Sequence, residues 1–490
     1  MKRTQPWRLA LILVPLLALA LRLWGLNAAG ETWDEIAYYD AAKHYSANVV
    51  NGIWEADAWN ANREHPPVAK WLYGLVSLRS FQANEVDFKP GRLLSALMGS
   101  ATILLTILIG WRLYSPKVGV LAGIILACSP LFIALNRVLG LDTPTTLFFT
   151  LTVYCFLEAL FRPQQNSRWY AAATLALGLA LGTRLSNLLL YPLLAMLAII
   201  VLRSDWKRGR RLPELGWLAP LILFPPLIVW ASWPWLWEDF RAHLNITFGH
   251  WSAVETIFLG VRQLPGASYY LIYYLVTLPA LVVILSLYFF ARTLLRGRRS
   301  DWILFVWIVA VFLFSFYALR QGGIRYLLQL FPAVSIAVAS VVGRLMDGLK
   351  NQRLAWLLPA IFVSYLALQA GWYQPYQLDY YNEFTGGAGQ MAAQKLFQIG
   401  WWNEGVEEAV LWLNKNGLAD RTVTFAAIPD RSARLLRTDF KRIEPANGDY
   451  IVINRARQEL IAEYPEQDRY QPIYTVAVRG AILAEVWERR

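Results

Sequence analysis

Cysteine is almost missing from this chain: two in 490 residues, Cys128 and Cys155, both inside long apolar runs. No disulfide framework can brace an exposed domain, and no metal-type cysteine spacing exists. Charge is scarce as well, with 16% of residues Asp, Glu, Lys or Arg against 57% apolar. The chain also lacks internal repeats, low-complexity tracts and long linkers, so nothing in it reads as a repeat array or as tethered modules. No soluble segment carries a basic groove interleaved with base-stacking aromatics, so the net charge of +12 does not point to nucleic acid.

Apolar runs long enough to cross ~30 Å of hydrocarbon recur along most of the chain. They predict eleven spans, near 8–26, 92–114, 117–135, 142–161, 168–184, 187–203, 214–233, 269–291, 302–319, 325–343 and 353–371. The 168–184 and 187–203 runs, parted only by Leu185-Ser186, also fit one re-entrant pair that never fully crosses. Lys and Arg concentrate at the N-terminus (Lys2, Arg3, Arg8) and in the 203–214, 292–301 and 344–353 loops, which places those segments in the cytoplasm. The 27–91 and 234–268 loops and the C-terminal tail then lie outside, in a multi-pass protein of the plasma (inner) membrane with a cytoplasmic N-terminus. The first span has basic flanks but no small-residue cleavage site where one is expected, and reads as a retained anchor. Much of the positive charge is therefore a topology signal and an attraction to anionic lipid headgroups.

Hydropathy drops for good after Trp372. The helical period of Val406–Leu413 and the apolar runs 422–428 and 450–453 predict an α/β domain over 372–490, following a membrane domain over 1–371. This outer domain has no nucleophile constellation and no Gly-rich phosphate loop.

The chemistry-bearing residues gather in the segments assigned to the outside. Thr32-Trp33-Asp34-Glu35 fits a capping box, with Thr32 and Glu35 satisfying each other's amides. For Glu35 capping and catalysis stand open equally. Asp34 is not needed by the cap, and a carboxylate at a membrane rim can take a proton from an attacking hydroxyl; Tyr38 follows one turn later on the same face. The prolines of Glu64-His65-Pro66-Pro67 read as a helix start, which leaves Glu64 and His65 unexplained. Glu64 with His243 or His250 would hold one divalent ion, although spacing this non-local makes solvated polar residues the default reading. Arg137, Arg184, Arg320 and Arg325 lie where the positive-inside rule would not put them. Each alone reads as an interface anchor, and Arg137 has Asp142 as a potential ion-pair partner. Together they suit a lipid-linked phosphate, binding it and stabilising it as a leaving group, with the amides of Gly322 and Gly323 free to approach it.

The order of these features resembles the protein O-mannosyltransferase and aminoarabinose-transferase branch of the glycosyltransferase C superfamily, in a bacterial-type form. The features are the Asp34-Glu35 pair, Glu64-His65-Pro66-Pro67, Arg137 to Asp142, Gly182-Thr183-Arg184, Trp233-Pro234-Trp235-Leu236-Trp237 and Gly323-Ile324-Arg325-Tyr326. The likeness runs from the N-terminus to about residue 385, and the segment from Pro375 to Gly387 resembles the outer domain of bacterial members. It implies an inverting transfer of one sugar from a polyprenyl phosphate to a hydroxyl acceptor on protein, lipid or glycan. Asp34 would be the base, Arg137, Arg184, Arg320, Arg325 and His65 would hold the donor phosphate, and Glu64 would stand at the metal position. Tyr38, Asp142, Tyr381 and Asn382 are assigned to sugar or acceptor contact. The 234–268 loop, about 35 residues, has no room for the lectin-like insert of eukaryotic mannosyltransferases, so a protein acceptor is not implied. His65 stands where the aminoarabinose branch has Lys and the mannosyl branch has His, which favours a hexose such as mannose. The competing reading is a transporter or flippase for a lipid-linked sugar, but such proteins place ionisable groups near the bilayer midplane, and here almost nothing charged is mid-span. A receptor-like scaffold would leave Asp34, Glu64 and the arginines without a shared purpose.

Overall fold

The computed structural model describes residues 5–490 apart from 84–85, 207–215, 250–254, 265, 318–321, 427–431, 444–447 and 458–468. Two of the candidate site residues, His250 and Arg320, lie outside the described residues.

Helix α1 (Gln5–Leu23) leads into a membrane-rim segment of two helices, α2 (Glu35–Asn51) and α3 (Val68–Gln82). α2 ends where Gly52 takes up a left-handed conformation and its N–H returns to Asn48 and Val49, the usual way an α-helix satisfies its last carbonyls. The bundle continues with α4 (Lys89–Leu113), α5 (Pro116–Ala127), α6 (Pro130–Leu135), α7 (Asp142–Phe161), α8 (Asn166–Thr183), α9 (Leu190–Trp206) and α10 (Leu218–Ser232). A short helix α11 (Phe240–Gly249) and the hairpin β1 (Thr256–Phe258) with β2 (Val261–Gln263) precede α12 (Tyr269–Thr277), α13 (Ala280–Arg296), α14 (Arg299–Tyr317), α15 (Phe331–Gly348) and α16 (Gln352–Trp372).

Every predicted span falls on helix, but two are broken. Ser129-Pro130 splits 117–135 into α5 and α6, and Leu278-Pro279 splits 269–291 into α12 and α13. Proline carries no amide and disfavours helical geometry in the residue before it, so both breaks fall at a proline, although Pro15, Pro225, Pro226 and Pro359 sit inside unbroken helices. α8 and α9 are joined by a 3-10 turn, Leu185–Leu189. Among the described residues, six helical stretches are long and apolar enough to cross a membrane; α1 and α8, which cover the predicted spans 8–26 and 168–184, are unbroken but not among the six, and the other predicted spans are shorter or broken. α15 lies at the centre, with 94% of its apolar window buried, whereas α16 is peripheral at 33%.

The polar residues sort to the two ends of the bundle. Where α4 ends and α14 begins, buried Asp301 accepts from Tyr114, Arg292 and Arg344 and from the Arg298 amide. Buried Glu158, at the end of α7, is flanked there by Arg112 and Arg162. Part of the basic charge in these loops is therefore spent on buried carboxylates. The other end carries the candidate site.

The tail adds α17 (Gly387–Ala393), α18 (Val406–Asn416) and the strands β3 (Thr422–Ala426), β4 (Lys441–Arg442), β5 (Tyr450–Asn454), β6 (Tyr470–Val478) and β7 (Ala481–Arg489). The strand order is β4-β3-β5-β7-β6, with β3 parallel to both β4 and β5 and with β5–β7 and β7–β6 antiparallel. α18 lays Val406, Ala409, Val410 and Leu413 into the core. The β6–β7 hairpin turns at Arg479-Gly480, both at positive φ, the two-residue geometry whose twist matches that of its strands.

Candidate active site

Asp34 and Glu35 open α2 and face different surroundings. Asp34 occupies the N-cap position without capping through its side chain; its Oδ2 accepts from Arg325 Nη1 at 2.8 Å, and the carboxylate stays one-quarter exposed. Glu35 is fully buried. Arg92 donates to both its oxygens at 2.8 and 2.6 Å, the Leu139 amide to Oε1 and the Thr32 amide to Oε2. Half of the predicted capping box is therefore present: Glu35 reaches back to Thr32, while the Thr32 hydroxyl does not take the Glu35 amide. With four donors on its two oxygens Glu35 cannot accept a substrate proton, so the catalytic assignment of Glu35 is corrected to that of an anchor.

Three of the predicted arginines are described, and they divide two to one. Arg184, just after α8, donates to Asp142 at 2.9 Å, and Arg325 holds Asp34. Both guanidinium groups lie over the Tyr326 ring, at 4.8 and 4.9 Å from its centroid. Burying two cations this close requires nearby anions and aromatic faces, which Asp34, Asp142 and Tyr326 provide. Arg325 Nε has no hydrogen-bond partner among the described residues. Arg137 does not join them. All its N–H directions are used on the Leu21, Arg22 and Trp24 carbonyls and the Gln374 and Gln377 side-chain oxygens, and Asp142, its predicted partner, pairs with Arg184. It ties the end of α1 to the start of the tail, and its phosphate-binding assignment is corrected on that ground.

Arg184 and His65 face a cavity of about 700 Å³ among the spans, whose other walls include Phe149, Leu189, Tyr270, Val311, Phe314 and Leu327. A basic end on an apolar chamber suits a lipid that bears a phosphate. His65 is held there by Lys70, a residue the sequence reading passed over. Fully buried at the start of α3, Lys70 donates to the Asn62 and His65 carbonyls at 2.6 and 2.7 Å and so pins the 62–65 turn. Burial pulls its ammonium down to about 7, with Glu64 opposing. Tyr38 is buried one turn after Asp34, its ring 6.4 Å from that of His65; burial first, then the Asp34 charge, keeps its hydroxyl protonated.

The metal set does not assemble. Glu64 accepts from the Asn62 amide at 3.0 Å, and His243 stacks on Trp235 at 3.6 Å with its Nδ1 at the Trp235 carbonyl. Among the described residues, no three His, Cys, Asp or Glu side chains come together as a metal site would require. Glu64 and His243, each held by a neighbour, make no such group among the described residues, and no step is derived through a metal.

The tail reaches further into the site than its sequence suggests. Trp402 and Trp401 lie with Arg325 over their rings, at 4.6 and 5.3 Å, and the Trp33 amide donates to the Trp402 carbonyl. The turn depends on Gly400, at φ +68°, whose N–H donates to Asp379 at 2.7 Å. The Trp401-Trp402 pair after a glycine was the available signal. Tyr381 lines a second cavity with Arg325, stacked on Phe397. Asn382 does not face it: its amide donates to the Leu275 and Leu278 carbonyls at 2.7 and 2.8 Å, and its oxygen caps Phe384. Its assignment to sugar contact is corrected to that of a clamp on the α12–α13 break. The Gly322 and Gly323 amides likewise donate to the Tyr269 hydroxyl and not toward a phosphate. Gly322 holds φ +133°, a conformation that side chains with a Cβ rarely adopt.

Residues 64–230 match the family described as dolichyl-phosphate-mannose-protein mannosyltransferase. Over 372 residues the chain is 25% identical to an uncharacterised protein of Aquifex aeolicus, covering 73% of this chain and 68% of that protein. It is 27% identical over 187 residues to dolichyl-phosphate-mannose–protein mannosyltransferase 1 of Saccharomyces cerevisiae, covering 34% of this chain and only 21% of the yeast protein. Among solved structures, ArnT from Cupriavidus metallidurans, bound to undecaprenyl phosphate, superposes with a TM-score of 0.55 at 14% identity over 97% of both chains. The oligosaccharyltransferase AglB of Archaeoglobus fulgidus, in complex with an inhibitory peptide and a dolichol-phosphate, gives 0.54 at 14% identity over 98% of this chain and 74% of its own. The fold is shared with ArnT and AglB.

Proposed function

We propose that this chain is an inverting glycosyltransferase that moves one sugar, a hexose such as mannose, from polyprenyl phosphate to a hydroxyl acceptor at the outer face of the plasma (inner) membrane. One observation carries the reading: the Asp34–Arg325 ion pair stands beside Arg184, at the basic end of an apolar cavity. The polyprenyl chain occupies the apolar walls, and its phosphate takes Arg184, Arg325 and His65. Arg325 is held by Asp34 and turns to the phosphate as the donor binds, a charge-assisted contact that also uses the unpaired Nε. The exchange frees Asp34 to accept the acceptor's hydroxyl proton as that oxygen attacks the anomeric carbon. The bond from that carbon to the phosphate oxygen breaks on the opposite face, so the anomeric configuration inverts. The phosphate leaves with the electron pair, stabilised by the two guanidinium groups. Tyr38 and Asp142, packed around the same arginines, orient the reacting groups.

A transporter reading gains nothing from the charge distribution. The buried ionic groups described above lie at the two ends of the bundle, at Asp301 and Glu158 and around Asp34, not at its middle. The test is mass spectrometry of mannosyl-phosphoryl polyprenol incubated with the purified protein in lipid discs, with glycolipid and glycoprotein extracts as acceptors. Loss of donor sugar with appearance of a glycosylated acceptor is expected. An intact donor in every acceptor mixture would overturn the proposal.

A further inference from the structure

A second cavity, of about 330 Å³, opens on the tail side of Arg325 and draws its walls from both parts of the molecule. The membrane core supplies Arg325 and Tyr273, and the tail supplies Asp379, Tyr381, Gln398 and Trp401. Asp379 is 1% exposed; its Oδ1 accepts from the Gly400 amide at 2.7 Å, while its Oδ2 has no hydrogen-bond partner among the described residues. Buried Glu404 is its neighbour and has an unpartnered Oε1 as well, so the two carboxyls are completed by a shared proton or by the hydroxyl of a ligand.

We infer, on the strength of the glycosyl-transfer reading, that this cavity is a sugar subsite in which the tail's Asp379 and Trp401 contact a pyranose ring. Its chemistry is that of polyol recognition: a carboxyl with an open oxygen, a side-chain amide, and tyrosine and indole rings that pack on the apolar face of a sugar while leaving its hydroxyls to polar partners. Its position is apt as well. Arg325 lines this cavity and holds Asp34, and the next residue, Tyr326, lines the lipid cavity, so a ring seated here lies beside both the base and the phosphate site. Burial pushes the Asp379 carboxyl up to about 7, so near neutral pH it offers both a donor and an acceptor to neighbouring hydroxyls. The ring belongs either to the donor or to the acceptor.

Titration calorimetry in lipid discs, with bare undecaprenyl phosphate and undecaprenyl-phosphate mannose as probes, distinguishes the cases when paired with acceptor kinetics. If the ring is the donor's, wild type binds the mannosylated lipid about tenfold more tightly than the bare one. Asp379→Asn then brings that affinity down to the bare-lipid value and leaves bare-lipid binding unchanged, while Trp401→Ala narrows the gap between the two lipids. If the ring is the acceptor's, wild type binds both lipids alike and the same variants raise acceptor KM by a similar factor. Asp379→Asn keeps an oxygen for the Gly400 amide, and Trp401→Phe, which keeps an aromatic wall, should restore part of the loss; thermal melts confirm folding. Unchanged lipid affinities and unchanged acceptor KM in both variants, in a wild type that turns over, overturn the sugar subsite alone. A wild type that binds neither lipid overturns the functional reading and the subsite with it.

Discussion

Asp34 and Glu35 are adjacent and open the same helix, but Arg92 and two backbone amides claim Glu35 while the Asp34 carboxylate pairs with Arg325 and stays partly exposed. Substitutions should separate them. Asp34→Asn preserves shape and keeps an oxygen for Arg325; we expect a folded protein that binds the donor and has lost several orders of magnitude in turnover, read by single-turnover kinetics. Retained turnover would place the base elsewhere. Glu35→Ala leaves Arg92, buried at 4% exposure, without its counter-charge, at a cost of about 3–5 kcal/mol. Loss of folded protein by size-exclusion chromatography, with any folded fraction still active, is the expected result. Arg325→Gln removes a cation from a desolvated phosphate site and should weaken bare-lipid binding by about 2–5 kcal/mol, whereas Arg137→Gln should act on stability instead. Unchanged lipid affinity in Arg325→Gln would return that arginine to an interface role.

At the scale of elements, the turn from Tyr376 to Glu404 joins titration to packing. Asp379 and Glu404 are both buried, and burial raises both carboxyls; for Glu404 the neighbouring Asp379 adds to the shift and Arg325 opposes it. Asp379 is raised from 3.8 to about 7, so the folded state holds a proton that the unfolded chain releases. Its stabilising contribution is complete below pH 3.8 and is lost as pH rises through about 7. Melting temperature should therefore fall between pH 5 and pH 8, with a shallower slope in Asp379→Asn; equal slopes would show that Asp379 does not carry the effect. None of this was legible in the sequence, because a carboxylate in a polar tail gives no sign that a glycine turn 21 residues later will bury it. The spans were legible, since apolar run length and loop charge are local properties. Asp34, Arg184 and Arg325 stood out in the sequence because their residue types are out of place at a membrane rim, and the fold brings those three together. Arg137 and Asn382 were misread because a buried polar group that clamps backbone carbonyls looks, in sequence, like one that awaits a ligand. The β6–β7 hairpin was missed because Arg479-Gly480 is a weaker turn signal than Asn-Gly.

For the molecule as a whole, the tail and the membrane domain build one site between them. The Trp33 amide bonds to Trp402, the Asn403 amide donates to the Glu31 carbonyl at 3.3 Å, and Arg434 pairs with the buried Glu31 carboxylate at 2.6 Å. Residues 31–35 thus hang between Arg92 on the bundle side and Trp402, Asn403 and Arg434 on the tail side, and Asp34 is positioned only while both hold. The lipid cavity is different, since its walls come from the spans and the 62–65 turn, with no tail residue among them. Charge reversal at the docking contact should exploit that difference. Arg434→Glu sets a carboxylate against Glu31, which is 4% exposed and cannot escape into water, so like-charge repulsion and desolvation both favour an undocked tail. We expect transfer to fall by at least about tenfold, the scale set by ~1.4 kcal/mol of lost positioning, while undecaprenyl phosphate still binds. Limited proteolysis between residues 372 and 405 should accelerate in parallel. The paired change Glu31→Lys with Arg434→Glu restores opposite charges and should recover part of both losses. Equal loss of lipid binding and transfer in Arg434→Glu would show that the tail also shapes the lipid cavity, against the wall composition seen here.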